Sequence, residues 1–135
     1  MKASAALLVG LGLVACADDG SDADPRFYVE RVEPEDGATS VTALVFVYLH
    51  LSGGPDPERC TAETLRVDAV RADGTVAFEV PSTVTFSGER FTKVLPDAPY
   101  LRGWTYRVTA RGGEDGCADL DGVPIEPFVS TFEVP

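Results

Sequence analysis

Val41-Thr42-Ala43-Leu44-Val45-Phe46-Val47-Tyr48-Leu49-His50-Leu51 carries an apolar residue at every odd position without a break. A repeat of two over this length marks a strand with one buried face, because successive side chains of an extended chain point to opposite sides. The pattern returns at Leu65, Val67 and Ala69, and again at Val76, Phe78 and Val80. Asp73-Gly74 stands between those two runs, and both residues tolerate the positive φ of a tight hairpin. Val84 and Phe86 precede Gly88-Glu89 and Phe91 to Leu95 follow, which predicts a second hairpin. Tyr106, Val108 and Ala110 mark another strand, and Phe128 to Val134 the last. Beyond residue 15 no window has an apolar 3.6 repeat of useful length, while 10 prolines and 13 glycines suit short strands and tight turns. The expected fold is all-β, an Ig-like antiparallel β-sandwich of seven or eight short strands.

Upstream of this region the chain changes character. Lys2 precedes an apolar run, Ala5 to Val14, whose length fits the core of an export signal and falls short of the roughly 20 residues that span a bilayer. The run ends in Leu13-Val14-Ala15-Cys16, which resembles the lipobox of bacterial lipoproteins. That resemblance implies removal of residues 1–15 as a signal peptide and acylation of Cys16 with palmitate-type chains. It also implies a membrane anchor on the outer side of the bacterial inner membrane. Ala17, rather than Asp, favours the outer membrane by resemblance to the Gram-negative sorting rule. Residues 16–25 hold four aspartates and no large apolar residue, so they read as a lipidated cysteine with an acidic, solvated tether. Residues 26–135 form the domain.

The lipoprotein reading also organises the cysteines. If Cys16 takes the lipid, Cys60 and Cys117 remain as a candidate pair, and outside the cytosol such a pair is more often bridged than free. The bridge would close a loop of about 57 residues, worth up to about 4 kcal/mol in the chain-entropy model. Two cysteines with His50 alone, itself in an expected strand, supply no zinc set. The formal charge is −11, and Lys2 is the only charge before Cys16. So acidic a chain argues against nucleic acid and against electrostatic docking to anionic lipid.

Several turn residues recur in a recognisable order. They are Pro34-Glu35-Asp36-Gly37-Ala38-Thr39-Ser40-Val41, then Thr64-Leu65 and Asp73-Gly74, then Pro96, Leu101, Gly103, Tyr106 and Val108. Asp121-Gly122-Val123-Pro124 and Phe128 to Phe132 close the series. Together they resemble the S-layer-type bacterial Ig-like domains, and the resemblance spans 26–135. It implies a spacer or adhesive unit of surface proteins. Leu51-Ser52-Gly53-Gly54-Pro55-Asp56 departs from that family's Phe-Ser-x-Pro-Val and predicts a longer loop, which Cys60 could pin to the loop holding Cys117. Tyr106 resembles a tyrosine corner, with a buried ring and a hydroxyl reaching backbone.

Constellations that could carry chemistry are scarce in this chain. No serine or cysteine has an evident base, the acidic residues lie mainly in turns, and no glycine-rich loop opens a helix, so the expectation is no enzyme and no cofactor. Asp115, Asp119 and Asp121 offer a weak calcium site, against the plainer reading of a solvated loop. The second face of the 41–51 strand holds Leu44, Phe46 and Tyr48 where polar residues belong, so these form a candidate interaction patch, with Trp104 added. A bulge, or cover by Phe27-Tyr28-Val29, is the structural alternative. The resulting reading is a lipid-anchored cell-envelope module with a structural or protein-interaction role, its partners the membrane and an envelope protein or glycan. The alternative is a lipoprotein capturing calcium or a glycan through the sandwich loops.

Overall fold

The computed structural model describes residues 25–135; the expected signal peptide, Cys16 and all but the last residue of the expected tether lie outside the described residues. Eight strands follow one another: β1 (Val29–Glu33), β2 (Val47–Leu51), β3 (Leu65–Val70), β4 (Val76–Glu79), β5 (Ser82–Ser87), β6 (Phe91–Pro96), β7 (Trp104–Ala110) and β8 (Phe128–Val134). They build two antiparallel sheets, ordered β1-β2-β6-β5 and β4-β3-β7-β8. Lettered in the Ig manner this is ABED against C′CFG, a β-sandwich as the alternation predicts. Val47, Leu49, Leu51 and Val94 of the first sheet meet Leu65, Val67, Tyr106, Val108, Phe132 and Val134 of the second, all buried. The Asp73-Gly74 turn joins β3 to β4, with Arg71 and Thr75 closing it at 2.9 Å and Gly74 at a φ of 88°.

The deciding stretch is half strand and half loop, which corrects the expected strand over 41–51. Only Val47–Leu51 pairs as β2, between β1 and β6. After β1 the cis Glu33-Pro34 peptide carries the chain across to the other sheet. There Gly37 donates to the Thr131 carbonyl (2.8 Å), Glu133 to that of Ala38 (2.8 Å) and Val41 to that of Glu133 (3.1 Å), so residues 37–41 cover the outer edge of β8. A turn closed by Val45 N–H to the Thr42 carbonyl (3.2 Å) then returns the chain to the first sheet. Val41, Ala43 and Val45 still pack on the core. The period of two therefore records which side chains meet the core, not which backbone carries a ladder.

The two ends of the sandwich differ. At one end Cys60 and Cys117 are bridged, with Cα atoms 4.3 Å apart, joining the β2–β3 loop to the β7–β8 loop. Pro55 and Asp119 form an antiparallel bridge beside it, and Asp56 N–H donates to the Ala118 carbonyl at 2.9 Å. At the other end the Tyr106 hydroxyl donates to the Leu101 carbonyl at 2.7 Å, the geometry of a tyrosine corner.

Candidate interaction surface

The outward residues of the first sheet line up in rows across its strands. Cross-strand partners share a face, so register alone sets Glu33, Tyr48, Lys93 and Thr85 in one row and Arg31, His50, Phe91 and Ser87 in the next. Phe46, just before β2, leans on Tyr48 with ring centroids 4.9 Å apart. Lys93 reaches over both rings, its Nζ 5.4 Å from the Phe46 centroid and 5.5 Å from that of Tyr48. Such contacts contribute roughly 0.5–1 kcal/mol when exposed, and they hold the aromatic pair in one orientation. His50 meets Phe91 edge-on at 3.9 Å, and Arg31 Nη2 lies 2.6 Å from His50 Nε2. Arginine can only donate, so Nε2 accepts and the imidazole in this arrangement carries its proton on Nδ1.

Two shallow clefts flank this face. One, about 400 Å³, lies among Pro34, Val41, Val45 and Phe46; the other, about 360 Å³, among Arg31, His50, Ser87 and Phe91. They share Glu33 and Tyr48 as a common wall. The surface is thus an aromatic ridge between two open hollows, edged by Arg31, Glu33 and Lys93.

The structure does not assemble the four patch residues expected from sequence. Phe46 and Tyr48 are together and half-buried. Leu44 is 79% exposed but sits on the turn before β2, over a separate hollow with Leu95 to Pro99, because its stretch is not a strand. Trp104 belongs to β7 in the second sheet and packs inward, edge-on to Phe78 at 5.3 Å. Phe27 is fully buried, paired with Ile125, so it does not cover the ridge. Phe91 and Lys93 escaped the sequence reading; their signal was the outward phase of β6, opposite an aromatic strand.

The loop acids do other work. Asp119 Oδ1 accepts the N–H groups of Asp121 (3.0 Å) and Val123 (2.8 Å), which closes its own turn. Among the described residues no group of three or more acidic, histidine or cysteine side chains is placed to hold a metal ion, so Asp115, Asp119 and Asp121 do not converge on a calcium site. The loop is instead fastened by Arg59. Its Nε donates to the Gly116 carbonyl (3.0 Å) and its Nη2 to those of Gly113 (3.1 Å) and Glu114 (2.6 Å). Between this loop end and the β5–β6 turn lies a cleft of about 580 Å³, lined by Gly54, Pro55, Pro57, Phe86, Glu89 and Leu120.

Three solved structures share this architecture. They are a crystal structure of the S-layer protein rSbsC (14% identical, TM-score 0.57, covering 81% of this chain), surface layer protein SbsC domains 1-6 (15%, 0.58, 82%) and the N-terminal part of the bacterial S-layer protein SbsC (17%, 0.56, 80%). The fold is shared with S-layer protein domains. The chain spans 14%, 14% and 23% of those structures, and identity this low speaks for the fold alone. No protein-family model and no curated protein matches the sequence.

Proposed function

We propose that this chain is a non-catalytic cell-envelope module, anchored by a lipid on Cys16, whose sandwich contacts another envelope protein. The observation that carries the reading is the aromatic ridge Phe46–Tyr48 beneath Lys93 on the outer face of a sheet. An outer sheet face is ordinarily polar, and aromatic residues with a pinned geometry supply contact area at little entropic cost. The fold shared with S-layer domains supports a place at the cell surface, and the lipobox-like Leu13-Val14-Ala15-Cys16 supports the anchor with the outer membrane as its site.

The test is capture of partners from detergent-solubilised envelopes with the wild-type chain and with Phe46→Ser. Loss of specific proteins from the variant, whose substitution lies outside the core, is the expected result. An identical set of captured proteins counts against the ridge. Incorporation of labelled palmitate, abolished by Cys16→Ser, tests the anchor separately. A second reading, capture of a glycan, draws on the cleft beside Phe86 and Leu120. Binding of envelope polysaccharide that falls with Phe86→Ala and not with Phe46→Ser would favour it.

A further inference from the structure

Each sheet has two edge strands, and an exposed edge is a template for pairing with another chain unless something blunts it. Three of the four edges here are blunted. The β8 edge is covered by residues 37–41. Strand β1 carries Glu30, Arg31 and Glu33 and has an irregular register between Val29 and Arg31. Strand β4 is four residues long, ends in Glu79, and shows a register shift at Ala69/Val70 of its partner. The fourth edge, β5, is Ser82-Thr83-Val84-Thr85-Phe86-Ser87. It has six regularly paired residues, no charge, no proline and no bulge, and lies at the end of its sheet. Among the described residues no backbone group outside β6 hydrogen-bonds to it.

We infer that β5 is a homotypic strand-addition site, at which a second copy of this chain pairs antiparallel to give one continuous eight-stranded sheet. The occupant follows from the strand itself. A two-fold axis normal to the sheet preserves its faces, so residues of like phase must pair. Centring the axis on Thr85 sets Thr85 opposite its own copy, Thr83 opposite Ser87, and Val84 opposite Phe86. Thr83, Thr85 and Ser87 share the outer face with Leu95, Lys93 and Phe91, while Val84 and Phe86 share the inner face with buried Val94 and Thr92. The pairs created are hydroxyl with hydroxyl outside and β-branched with aromatic inside, the combinations that stabilise antiparallel neighbours. Net charge opposes the pairing, since two copies of a chain at −11 repel, but β5 is the edge strand that adds no charged side chain at the contact. The pairing also places the two aromatic ridges on one surface, giving a partner two linked contacts. It stands on the sheet edge alone and does not depend on the anchor.

The experiment uses the full-length chain with Thr85→Cys, oxidised mildly and run without reductant, beside wild type and Thr83→Cys. Wild type sets the background from Cys16. The two-fold register predicts a covalent dimer through residue 85 and none above background through residue 83, which faces Ser87. Sedimentation of Thr85→Lys supplies the second arm, since two like charges directly opposite should weaken association about tenfold. Equal trapping at 83 and 85 would mark a different register or a different occupant, and overturns the inference. A chain that stays monomeric up to millimolar concentration, or a dimer indifferent to Thr85→Lys, overturns it as well.

Discussion

The two ends of the sandwich face the same task, holding a long connection across the gap between sheets, and solve it with different chemistry. At the loop end the segments 52–64 and 111–127 are rich in glycine, proline and charge and send only Cys60, Cys117 and Ile125 into the core cluster, with the disulfide and the Arg59 guanidinium as clips. At the corner end Tyr100, Tyr106 and Phe132 stack within 4.7–5.5 Å of one another, and a single hydroxyl bond finishes the job. The difference teaches where the fold depends on oxidation. One end keeps its geometry through aromatic burial, and the other adds a covalent clip and an arginine clip to backbone bonds and a smaller buried set.

Removing the disulfide should separate the two ends most. Cys60→Ala with Cys117→Ala opens a closure of 57 residues, and the chain-entropy model puts the loss at up to about 4 kcal/mol. Denaturant unfolding measures the loss, and hydrogen exchange locates it: amides at 54–60 and 113–120 should lose protection before those at 101–106. Uniform loss at both ends would erase the contrast. Arg59→Met, which keeps the stem and removes three hydrogen bonds to carbonyls, should cost about 2 kcal/mol, since partial exposure lets water replace some of them. Tyr106→Phe comes next, at about 1 kcal/mol for one neutral hydrogen bond whose acceptor residue, Leu101, is largely exposed.

Legibility in the sequence follows the same division. Where apolar side chains alternate and the backbone pairs, as in β3 and β7, the strands were readable because burial and ladder coincide. At 41–46 they separate: Val41, Ala43 and Val45 are laid against the core, half-buried, by a loop, and the alternation persists without the strand. Strand β1 hid for the opposite reason, since Glu30, Arg31 and Glu33 leave Val32 as its one buried residue. Half of the ridge, Phe46 and Tyr48, was legible as misplaced aromatics. Lys93 was not, because its contribution lies in its register opposite Tyr48, which pairing alone determines. Arg59 gave no signal either; an arginine in a polar loop is ordinary until three carbonyls converge on it.

Tyr100 and Tyr106 give the smallest effect and the sharpest sign. Their rings lie 4.7 Å apart at the same end, yet the Tyr100 hydroxyl is buried without a partner among the described residues, whereas that of Tyr106 is bonded. Burial pushes the Tyr100 phenol well above its ordinary 10.0, with the neighbouring Tyr106 adding to the shift. A phenol held neutral in the folded state and free to ionise in the unfolded one contributes stability that is whole below pH 10. Above that pH the unfolded chain binds fewer protons than the folded one, so stability falls, by as much as about 1.4 kcal/mol per pH unit for one group. Tyr100→Phe should therefore be neutral or stabilising by up to about 1 kcal/mol at pH 7, because an unpaired buried hydroxyl is removed. It should also flatten the decline between pH 10 and 11.5 in urea unfolding. Tyr106→Phe should lower stability at pH 7 instead, and because burial raises that phenol too, it should also lessen the decline above pH 10. If both variants cost the same at pH 7, the Tyr100 hydroxyl has a partner, and the corner end is held by two hydroxyl bonds rather than one.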